Sequence, residues 1–290
     1  WAQGQEHSFL WAQGFACNSL AFVDVDTVCY TSGCCVVFLN TESKSRRFLP
    51  SPGRGVGALA AEARSGFLAF SEQQLRPSIY VYRYPELALQ SQLVGTAHLE
   101  YTAVALSSAG PYVASCSSFP DPTITLWNRE TGVLLCSHPL AGQNVTTLVF
   151  NPMNWHQICA MSSSSVVLWT VERSNHLHMM KVPYSENFPR TRLFPKGKLK
   201  PRVKPSSVCW SAASQLYVGC REGHLLLVNL NTALTSILFS PHTHAVPAGT
   251  LNHKIHYTSG SMVLEIVTII SCSPECEILL LVSNTVSKTT

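Results

Sequence analysis

The sequence predicts an all-β fold, a WD-repeat β-propeller that forms an incomplete ring or part of a larger tandem propeller. Three observations predict it. The first is a strand–turn–strand unit at residues 107–140, and the second is the return of similar units at a regular period. The third is a composition of 46% hydrophobic and only 12% charged residues over 290 positions, which supplies ample material for a buried core.

The unit at 107–140 alternates short apolar runs with turn residues. Gly110-Pro111 favours a turn, because proline fixes φ and glycine tolerates any φ. Residues 129–132 form a second, polar turn. The runs between and around these turns are rich in apolar and β-branched residues, and three of them are predicted as strands: 112–115, 123–127 and 133–136.

Similar units recur along the chain. Each has a large or apolar residue near the end of its third strand: Phe38, Tyr82, Trp127, Trp169 and Val228. Three steps, of 44, 45 and 42 residues, match the period of four-stranded propeller blades, and the fourth, of 59 residues, is longer by one insertion. A β-sandwich is the alternative, but it gives no reason for hairpins to recur at this period. The shared Leu-Trp context of Trp127 and Trp169 predicts equivalent buried positions in adjacent blades.

In chain order, the period divides the sequence into three parts: an irregular segment 1–18, blades across 19–240 with an insert at 184–205, and an atypical segment 241–290. The predicted blades cover 19–50, 56–93, 107–140, a fourth from 145, and 207–239. Residues 262–282 are apolar but interrupted by acidic residues and a proline, so they predict two strands of a further partial blade and no membrane helix. No basic start precedes an apolar core, so no signal peptide is expected.

The insert carries the main charge feature of the sequence. Four prolines keep it out of regular structure. No acidic residue occurs from 188 to 205, whereas seven cations do: Arg190, Arg192, Lys196, Lys198, Lys200, Arg202 and Lys204. Such a segment either contacts an acidic surface, such as a tubulin tail or nucleic acid, or is simply a solvated loop. The net charge of +4 is mild and does not by itself indicate a nucleic-acid partner.

The sequence offers little catalytic or metal-binding chemistry. The glycine-rich stretch 53–57 lacks a following helix pattern and a closing Lys-Ser/Thr pair, so it predicts a turn between blades, not a phosphate site. His242, His244, His253 and His256 form a loose cluster without an acidic partner, and the pair Cys272 and Cys276 has no second pair to complete a zinc site. We therefore expect no enzyme activity, no cofactor and no metal.

The chain contains eleven cysteines, most of them inside apolar strand runs. An odd and scattered set of buried thiols suits a reducing compartment better than a disulfide framework. We therefore expect no disulfide. The adjacent pair Cys34-Cys35 lies at a turn and is the pair most open to oxidation.

Several longer runs are more specific than a generic WD repeat. They are 11–15 (WAQGF), 29–33 (CYTSG), 75–82 (LRPSIYVY), 150–155 (FNPMNW), 169–175 (WTVERSN) and 216–225 (LYVGCREGHL). With these runs the chain resembles the N-terminal WD-repeat region of the cilia- and flagella-associated protein 43 family, across roughly residues 8–238. The segment after Ser240 does not resemble the family.

The resemblance implies a non-enzymatic axonemal scaffold in the cytoskeleton of cilia and flagella. Members are similar in holding inner dynein arm motor heads to the doublet microtubule as a tether, and are needed for assembly and motility of the cilium and the sperm flagellum. The implied partners are cilia- and flagella-associated protein 44, inner arm dynein and the doublet microtubule, with no nucleic acid or membrane. The alternative is a general cytosolic WD-repeat adaptor that binds other proteins.

Overall fold

The computed structural model describes residues 20–95, 97–174, 177–187, 203–211, 213–229, 234–239, 266–272 and 278–284. The strands in these residues form five four-stranded antiparallel sheets and one two-stranded sheet. In each four-stranded sheet the strands lie side by side in sequence order, as they do in a propeller blade. The prediction of an all-β fold built from WD-type blades is confirmed.

The five blades follow one another along the chain. Blade 1 contains β1 (Leu20–Phe22), β2 (Thr27–Ser32), β3 (Cys35–Asn40) and β4 (Arg46–Pro50). Blade 2 contains β5 (Val56–Glu62), β6 (Phe67–Glu72), β7 (Ile79–Arg83) and β8 (Ala88–Leu93). Blade 3 contains β9 (Tyr101–Leu106), β10 (Tyr112–Ser117), β11 (Ile124–Asn128) and β12 (Leu134–His138).

The connection between the last two blades is longer than the earlier connections between blades. Blade 4 contains β13 (Val145–Asn151), β14 (Asn154–Ser162), β15 (Ser165–Ser174) and β16 (Leu177–Asn187). Blade 5 contains β17 (Pro205–Trp210), β18 (Leu216–Cys220), β19 (Leu225–Asn229) and β20 (Leu234–Phe239). The two-stranded sheet pairs β21 (Ile266–Cys272) with β22 (Ile278–Asn284), and β21 lies beside β17 and β18.

Two predicted boundaries differ from the structure. Blade 3 begins at Tyr101 and not at 107, because β9, which contains the strand-favouring residues Tyr101, Thr102 and Val104, pairs with β10 as the first strand of the sheet. Its Ala103 and Ala105 are buried against blade 4, where small side chains fit the packed space. The predicted insert at 184–205 is also too long, since residues 184–187 continue β16 and Pro205 opens β17.

Apolar side chains fill the space between successive blades in four clusters. Because side chains alternate along a strand, the two inner strands of blades 2, 3 and 4 each contribute to two of these clusters. In β7, Ile79 and Val81 pack toward blade 3, whereas Tyr80 and Tyr82 pack toward blade 1. Burial between neighbouring blades, and not within any single blade, therefore supplies most of the core.

The five residues that mark the period all lie in third strands, as predicted. Tyr82, Trp127, Trp169 and Val228 pack toward the preceding blade. Phe38 is the exception, because it packs toward the following blade and its ring lies 5.7 Å from that of Tyr84. Phe38 is thus not equivalent to the other four. The spacing of 44 residues relates two side chains, Phe38 and Tyr82, that lie on opposite sides of their own sheets.

The two tryptophans occupy equivalent buried positions, as predicted. Trp127 is 1% exposed and lies opposite Val113 in the neighbouring strand. Trp169, in blade 4, is 5% exposed and lies opposite Ile158 in the neighbouring strand of the same blade. Its ring lies 4.8 Å from that of His138, a residue of the preceding blade. Each indole therefore fills the gap between its own blade and the one before.

Candidate interaction surface

The strand order gives the row of blades two loop-bearing faces. One face carries the connections between blades together with the turns that join second and third strands, and we call it the interblade face. The opposite face carries the turns that join first to second and third to fourth strands. Loops on a rigid scaffold often carry binding residues, so these two faces are the surfaces available for partners.

Backbone hydrogen bonds connect neighbouring loops along the interblade face. Each described connection between blades bonds to the second-to-third-strand turn of the blade before it, of the blade after it, or of both. The bonded N–H and C=O groups, with their N–O distances, are Ser51 to Cys34 (2.7 Å), Gln73 to Gly55 (3.0 Å), Arg76 to His98 (2.9 Å), Ser118 to Glu100 (3.0 Å), Gly142 to Pro122 (2.9 Å) and Arg221 to Lys204 (2.9 Å). The loops of this face are therefore held in place by their neighbours.

Gly142 shows how closely these loops approach. A Cβ atom at this position would lie 2.6 Å from Cys116 Sγ and 3.0 Å from the carbonyl carbon of Pro122. The Cys116 thiol also donates to the Gly142 carbonyl at 3.7 Å. The connection between blades 3 and 4 thus lies directly on the blade 3 turn, and only glycine fits there without a shift.

We call the stretch 188–205, which carries the seven cations, the basic segment. It leaves from the interblade face, since β16 ends and β17 begins there. Of its seven cations the structure describes Lys204, which is exposed. The Lys204 N–H donates to Glu222 Oε2 at 2.8 Å, so this end of the segment is anchored to the blade 5 turn. The other six cations lie outside the described residues: Arg190, Arg192, Lys196, Lys198, Lys200 and Arg202.

Several turns of the opposite face contain hydrogen bonds within the turn, and the Asp24 turn is also bonded to the next blade. Asp24 Oδ1 accepts from the N–H groups of Asp26 and Thr27, at 2.9 and 2.6 Å, and Asp24 Oδ2 accepts from the Tyr84 hydroxyl at 2.8 Å. Burial alone raises the pKa of Asp24, but these hydrogen bonds outweigh it and leave the pKa lowered. In three later turns, the side-chain oxygen of an asparagine accepts from N–H groups two or three residues ahead. These asparagines are Asn40, Asn128 and Asn151.

A buried arginine between blades 2 and 3 was not anticipated from the sequence. Arg129 is 7% exposed, and its guanidinium carbon lies 3.9 Å from the centroid of the Phe67 ring. Its Nη1 donates to the Ser107 carbonyl at 3.4 Å, while its Nε has no partner. Burial lowers the pKa of this guanidinium. The aromatic face compensates part of that cost, so we interpret Arg129 as a packing residue of this interface.

The chain matches a known protein family over most of its length. The family model described as the CFAP43 N-terminal domain matches residues 12–260. The chain belongs to this family. Membership agrees with the blades described above. The match includes residues 241–260, so the expectation that the segment after Ser240 does not resemble the family is wrong for that stretch.

Curated relatives share about a third of the residues of this chain over the aligned part. Cilia- and flagella-associated protein 43 of Mus musculus is 34% identical over 285 residues, which is 85% of this chain and 17% of that protein. The protein of the same name from Xenopus laevis is 33% identical over 79% of this chain and 16% of its own length. The chain therefore spans only a small part of the curated relatives that it matches.

More distant similarities reach a second protein and a solved structure. Cilia- and flagella-associated protein 44 of Mus musculus is 29% identical over 56% of this chain and 9% of its own length. A crystal structure of the Cps50 (Swd1) β-propeller domain of Myceliophteria thermophila aligns with a TM-score of 0.48 at 16% identity. That alignment covers 66% of this chain and 56% of the solved one.

The positions considered for metal chemistry lie mostly outside the described residues. This applies to His242, His244, His253, His256 and Cys276, while the backbone alone is described for Cys272 in β21. Within the described ranges, no group of three or more His, Cys, Asp or Glu side chains is placed to hold a metal ion. No helix long and apolar enough to cross a membrane occurs in the same ranges.

The eight cysteines whose side chains the structure describes form no disulfide with one another. Cys34 is exposed on the interblade face, and its Sγ lies 3.9 Å from that of Cys35. Burial raises the pKa of the Cys29 thiol to about 12 and that of Cys116 to about 11. These buried thiols stay protonated at neutral pH and are poor nucleophiles, which suits a role in packing.

Proposed function

We propose that this chain is the β-propeller part of a non-enzymatic scaffold in the axoneme of cilia and flagella. The observation that carries the proposal is the match of the CFAP43 N-terminal domain model to residues 12–260. In this role the protein tethers inner dynein arm motor heads to the doublet microtubule. The tether is required for assembly and motility of the cilium and the sperm flagellum.

The partner that we propose is cilia- and flagella-associated protein 44. Part of this chain is similar to that protein in Mus musculus and in Chlamydomonas reinhardtii, at 29% identity in each case. Related propellers are suited to side-by-side assembly, because they present similar loop faces to a common support. Inner arm dynein and the doublet microtubule complete the proposed set of contacts.

The contact that we propose for the microtubule is the basic segment between blades 4 and 5. Its seven cations occur without an acidic residue between 188 and 205. Its described end, at Lys204, is anchored to Glu222 on the interblade face. A positive, proline-rich connection of this length is suited to an acidic surface such as the exposed tails of tubulin. The attraction is screened over a Debye length of about 8 Å at physiological salt, so it weakens as salt rises.

Co-sedimentation with microtubules tests this contact. We expect the 290-residue chain to bind at low salt and to be released progressively as salt increases. Replacement of Lys196, Lys198, Lys200 and Arg202 by serine removes four of the seven cations and should weaken binding. Circular dichroism of the variant checks that the blades stay folded.

A matched control removes the same charge elsewhere. Four exposed cations outside the basic segment serve this purpose: Lys44, Arg46, Arg64 and Lys181. Their replacement by serine should leave co-sedimentation close to that of the unmodified chain. If the two four-site variants bind equally at low salt, the segment is a spacer and the microtubule contact lies on the blades.

Localisation tests the scaffold itself. A tagged full-length protein in ciliated cells should associate with doublet microtubules, and cross-links in isolated axonemes should join it to cilia- and flagella-associated protein 44. Recovery in a soluble cytosolic complex without axonemal cross-links would instead support the general WD-repeat adaptor. This test is independent of the charge test, because a scaffold does not require the basic segment as its contact.

A further inference from the structure

Two neighbouring thiols lie at the tip of the blade 1 turn on the interblade face. Cys34 is the last residue of the turn between β2 and β3, and Cys35 is the first residue of β3. Cys34 is exposed and Cys35 is half-buried, and their Sγ atoms lie 3.9 Å apart. Gly33 has a φ of 58°, and a Cβ atom there would meet nothing within 4 Å. A small solute can therefore reach this turn from the solvent.

The exposure of Cys34 sets it apart from the other cysteines. Among the eight whose side chains the structure describes, Cys34 alone is exposed. Burial raises the pKa of Cys29 to about 12 and that of Cys136 to about 11. Because the thiolate is the form that reacts with oxidants, buried thiols of this kind react poorly.

The geometry of the pair gives its two members different roles. The Cys35 thiol can donate a hydrogen bond to the Cys34 sulfur across the 3.9 Å separation. Burial raises the pKa of Cys35, and the hydrogen bond and the negative charge of Cys34 raise it further. Cys35 thus keeps its proton while it donates to Cys34, so Cys34 is the first of the two to react with an oxidant.

We propose that Cys34 and Cys35 form a redox modification site, at which hydrogen peroxide converts the two thiols into a disulfide between adjacent residues. The Cys34 thiolate attacks one peroxide oxygen, the O–O bond breaks, and Cys34 becomes a sulfenic acid while the released hydroxide takes up a proton as water. The Cys35 sulfur then attacks the Cys34 sulfur. The S–S bond forms, the S–O bond breaks, and the leaving hydroxide takes up the Cys35 proton. The two sulfurs together lose two electrons, and the peroxide gains them.

The first step of this sequence prepares the second. The sulfenic acid of Cys34 is neutral, so it no longer imposes the negative charge that raises the pKa of Cys35. The attacking sulfur is then easier to deprotonate at the moment when it is needed, and it already lies beside its target. A resolving thiol in this position is typical of cysteines that oxidise reversibly.

Disulfide formation at this turn reaches the connection between blades 1 and 2. The Cys34 carbonyl accepts from the Ser51 N–H at 2.7 Å, and the Gly33 carbonyl accepts from the Val56 N–H at 3.2 Å. Cα atoms joined by a trans peptide are about 3.8 Å apart, below the separation of about 4.4–6.8 Å that is usual in disulfides. The backbone must therefore turn to close the ring. Because the Cys34 carbonyl belongs to the peptide unit inside that ring, oxidation should weaken its bond to Ser51.

Peroxide treatment of the reduced 290-residue chain tests the site. After oxidation, the remaining thiols are alkylated in denaturant and the digested chain is measured by mass spectrometry. We expect the peptide that contains Cys34 and Cys35 to lose two hydrogens and to escape alkylation. Dithiothreitol should restore both thiols. A disulfide that joins Cys34 to any residue other than Cys35, in the same chain or in a second copy, overturns the proposal.

Single variants test the two roles. Cys35→Ser removes the resolving thiol, so the Cys34 sulfenic acid should accumulate and be trapped by dimedone. Cys34→Ser leaves the half-buried Cys35, which should take up at least about tenfold less dimedone because reactivity follows exposure and thiolate content. Cys136→Ser is the matched control, since it removes another half-buried thiol and should leave the oxidation of Cys34 and Cys35 unchanged. Equal labelling of the first two variants contradicts the assigned roles.

Amide hydrogen exchange tests the effect on the connection. In the oxidised chain the Ser51 amide should exchange faster by a factor on the order of ten, as for loss of one hydrogen bond of ordinary net strength. The Gly142 amide makes the same kind of bond between blades 3 and 4 and should not change. Peroxide-treated Cys34→Ser corrects for oxidation elsewhere in the chain. Unchanged exchange at Ser51 in a chain that carries the disulfide overturns the link to the connection.

Discussion

Blades 3 and 4 place the same residue in the same position but surround it differently. The indole Nε1 of Trp127 donates to Ser115 Oγ at 2.9 Å. The indole Nε1 of Trp169 is buried and has no partner. Register explains the contrast: Ser115 lies two residues after Val113, which faces Trp127, and Ala160 lies two residues after Ile158, which faces Trp169. Blade 4 has alanine where blade 3 has the acceptor.

A second difference lies directly opposite this position. Thr125 pairs with Ser115 in blade 3, and its buried hydroxyl has no hydrogen-bond partner. Val167 pairs with Ala160 at the same place in blade 4. The comparison teaches that the repeat preserves the shape and burial of the blade, whereas each blade satisfies its buried polar groups in its own way. Four predictions test this statement.

The largest effect is expected from loss of the indoles. Trp127→Ala and Trp169→Ala each empty a buried space between two blades and should cost about 3–5 kcal/mol of unfolding free energy. The Trp127 loss should be the larger of the two, because it also leaves the Ser115 hydroxyl unpaired. Urea denaturation followed by circular dichroism measures both. A cost near zero for either variant would contradict the equivalence of the two positions.

Loss of the acceptor in blade 3 should have the next largest effect. Ser115→Ala leaves the buried Trp127 N–H unpaired, which costs about 1–3 kcal/mol. The matched control is the same change in a Trp127→Phe background, where no N–H is present and the cost should be smaller. Equal costs in both backgrounds would show that the hydrogen bond does not contribute.

Removal of the unpaired hydroxyl in blade 3 should stabilise the protein. Thr125→Val keeps the shape of the side chain, deletes a buried group without a partner, and reproduces the residue of blade 4. We expect a gain of about 1 kcal/mol, measured as a higher urea midpoint at unchanged slope. Thr125→Ser keeps the hydroxyl and removes a methyl group, so it should lose stability; a gain from both changes rules out the hydroxyl as the cause.

The smallest effect is expected when the acceptor is transferred to blade 4. Ala160→Ser places a hydroxyl where Ser115 lies in blade 3, and pairing with the Trp169 N–H should gain up to about 1 kcal/mol. In a Trp169→Phe background the same change buries an unpaired hydroxyl and should destabilise. Destabilisation in both backgrounds would mean that the two blades differ in more than this residue.

Much of the fold followed from local patterns in the sequence. The third strands could be located because β-branched and aromatic runs end at turn residues, and the period placed Trp127 and Trp169 correctly. Two strands were predicted less well. β9 was left out of blade 3 even though its Tyr101, Thr102 and Val104 favour a strand. Phe38 was aligned by the size of its side chain, whereas its packing against blade 2 decides which way it faces.

The surface was less predictable than the strands. The basic segment was visible as a charge pattern, and its attachment to the interblade face follows from strand order. The exposed apolar side chains of the interblade loops, such as Leu75 and Phe119, were not singled out, because they are far apart in the chain and belong to no periodic run. Arg129 was missed for the same reason, since its burial depends on Phe67 in the preceding blade.

The sequence by itself determined the features that depend on near neighbours. These are the strands, the 42- to 45-residue period, and the turns of the opposite face, where residues such as Asp24 and Asn128 bond to N–H groups two or three positions ahead. Their energy is local, so a short stretch of residues is enough to specify them.

Only the tertiary structure decided the features that join one blade to another. The interblade loops are held by hydrogen bonds between segments that are 17 to 22 residues apart, such as Gln73 to Gly55 and Arg76 to His98. Whether a buried indole has a hydrogen-bond acceptor likewise depends on strand register. The register places Ser115 at the equivalent position in blade 3 to Ala160 in blade 4, two residues after the residue that faces the tryptophan. Such contacts form only once the blades are side by side, and for that reason no single stretch of sequence predicts them.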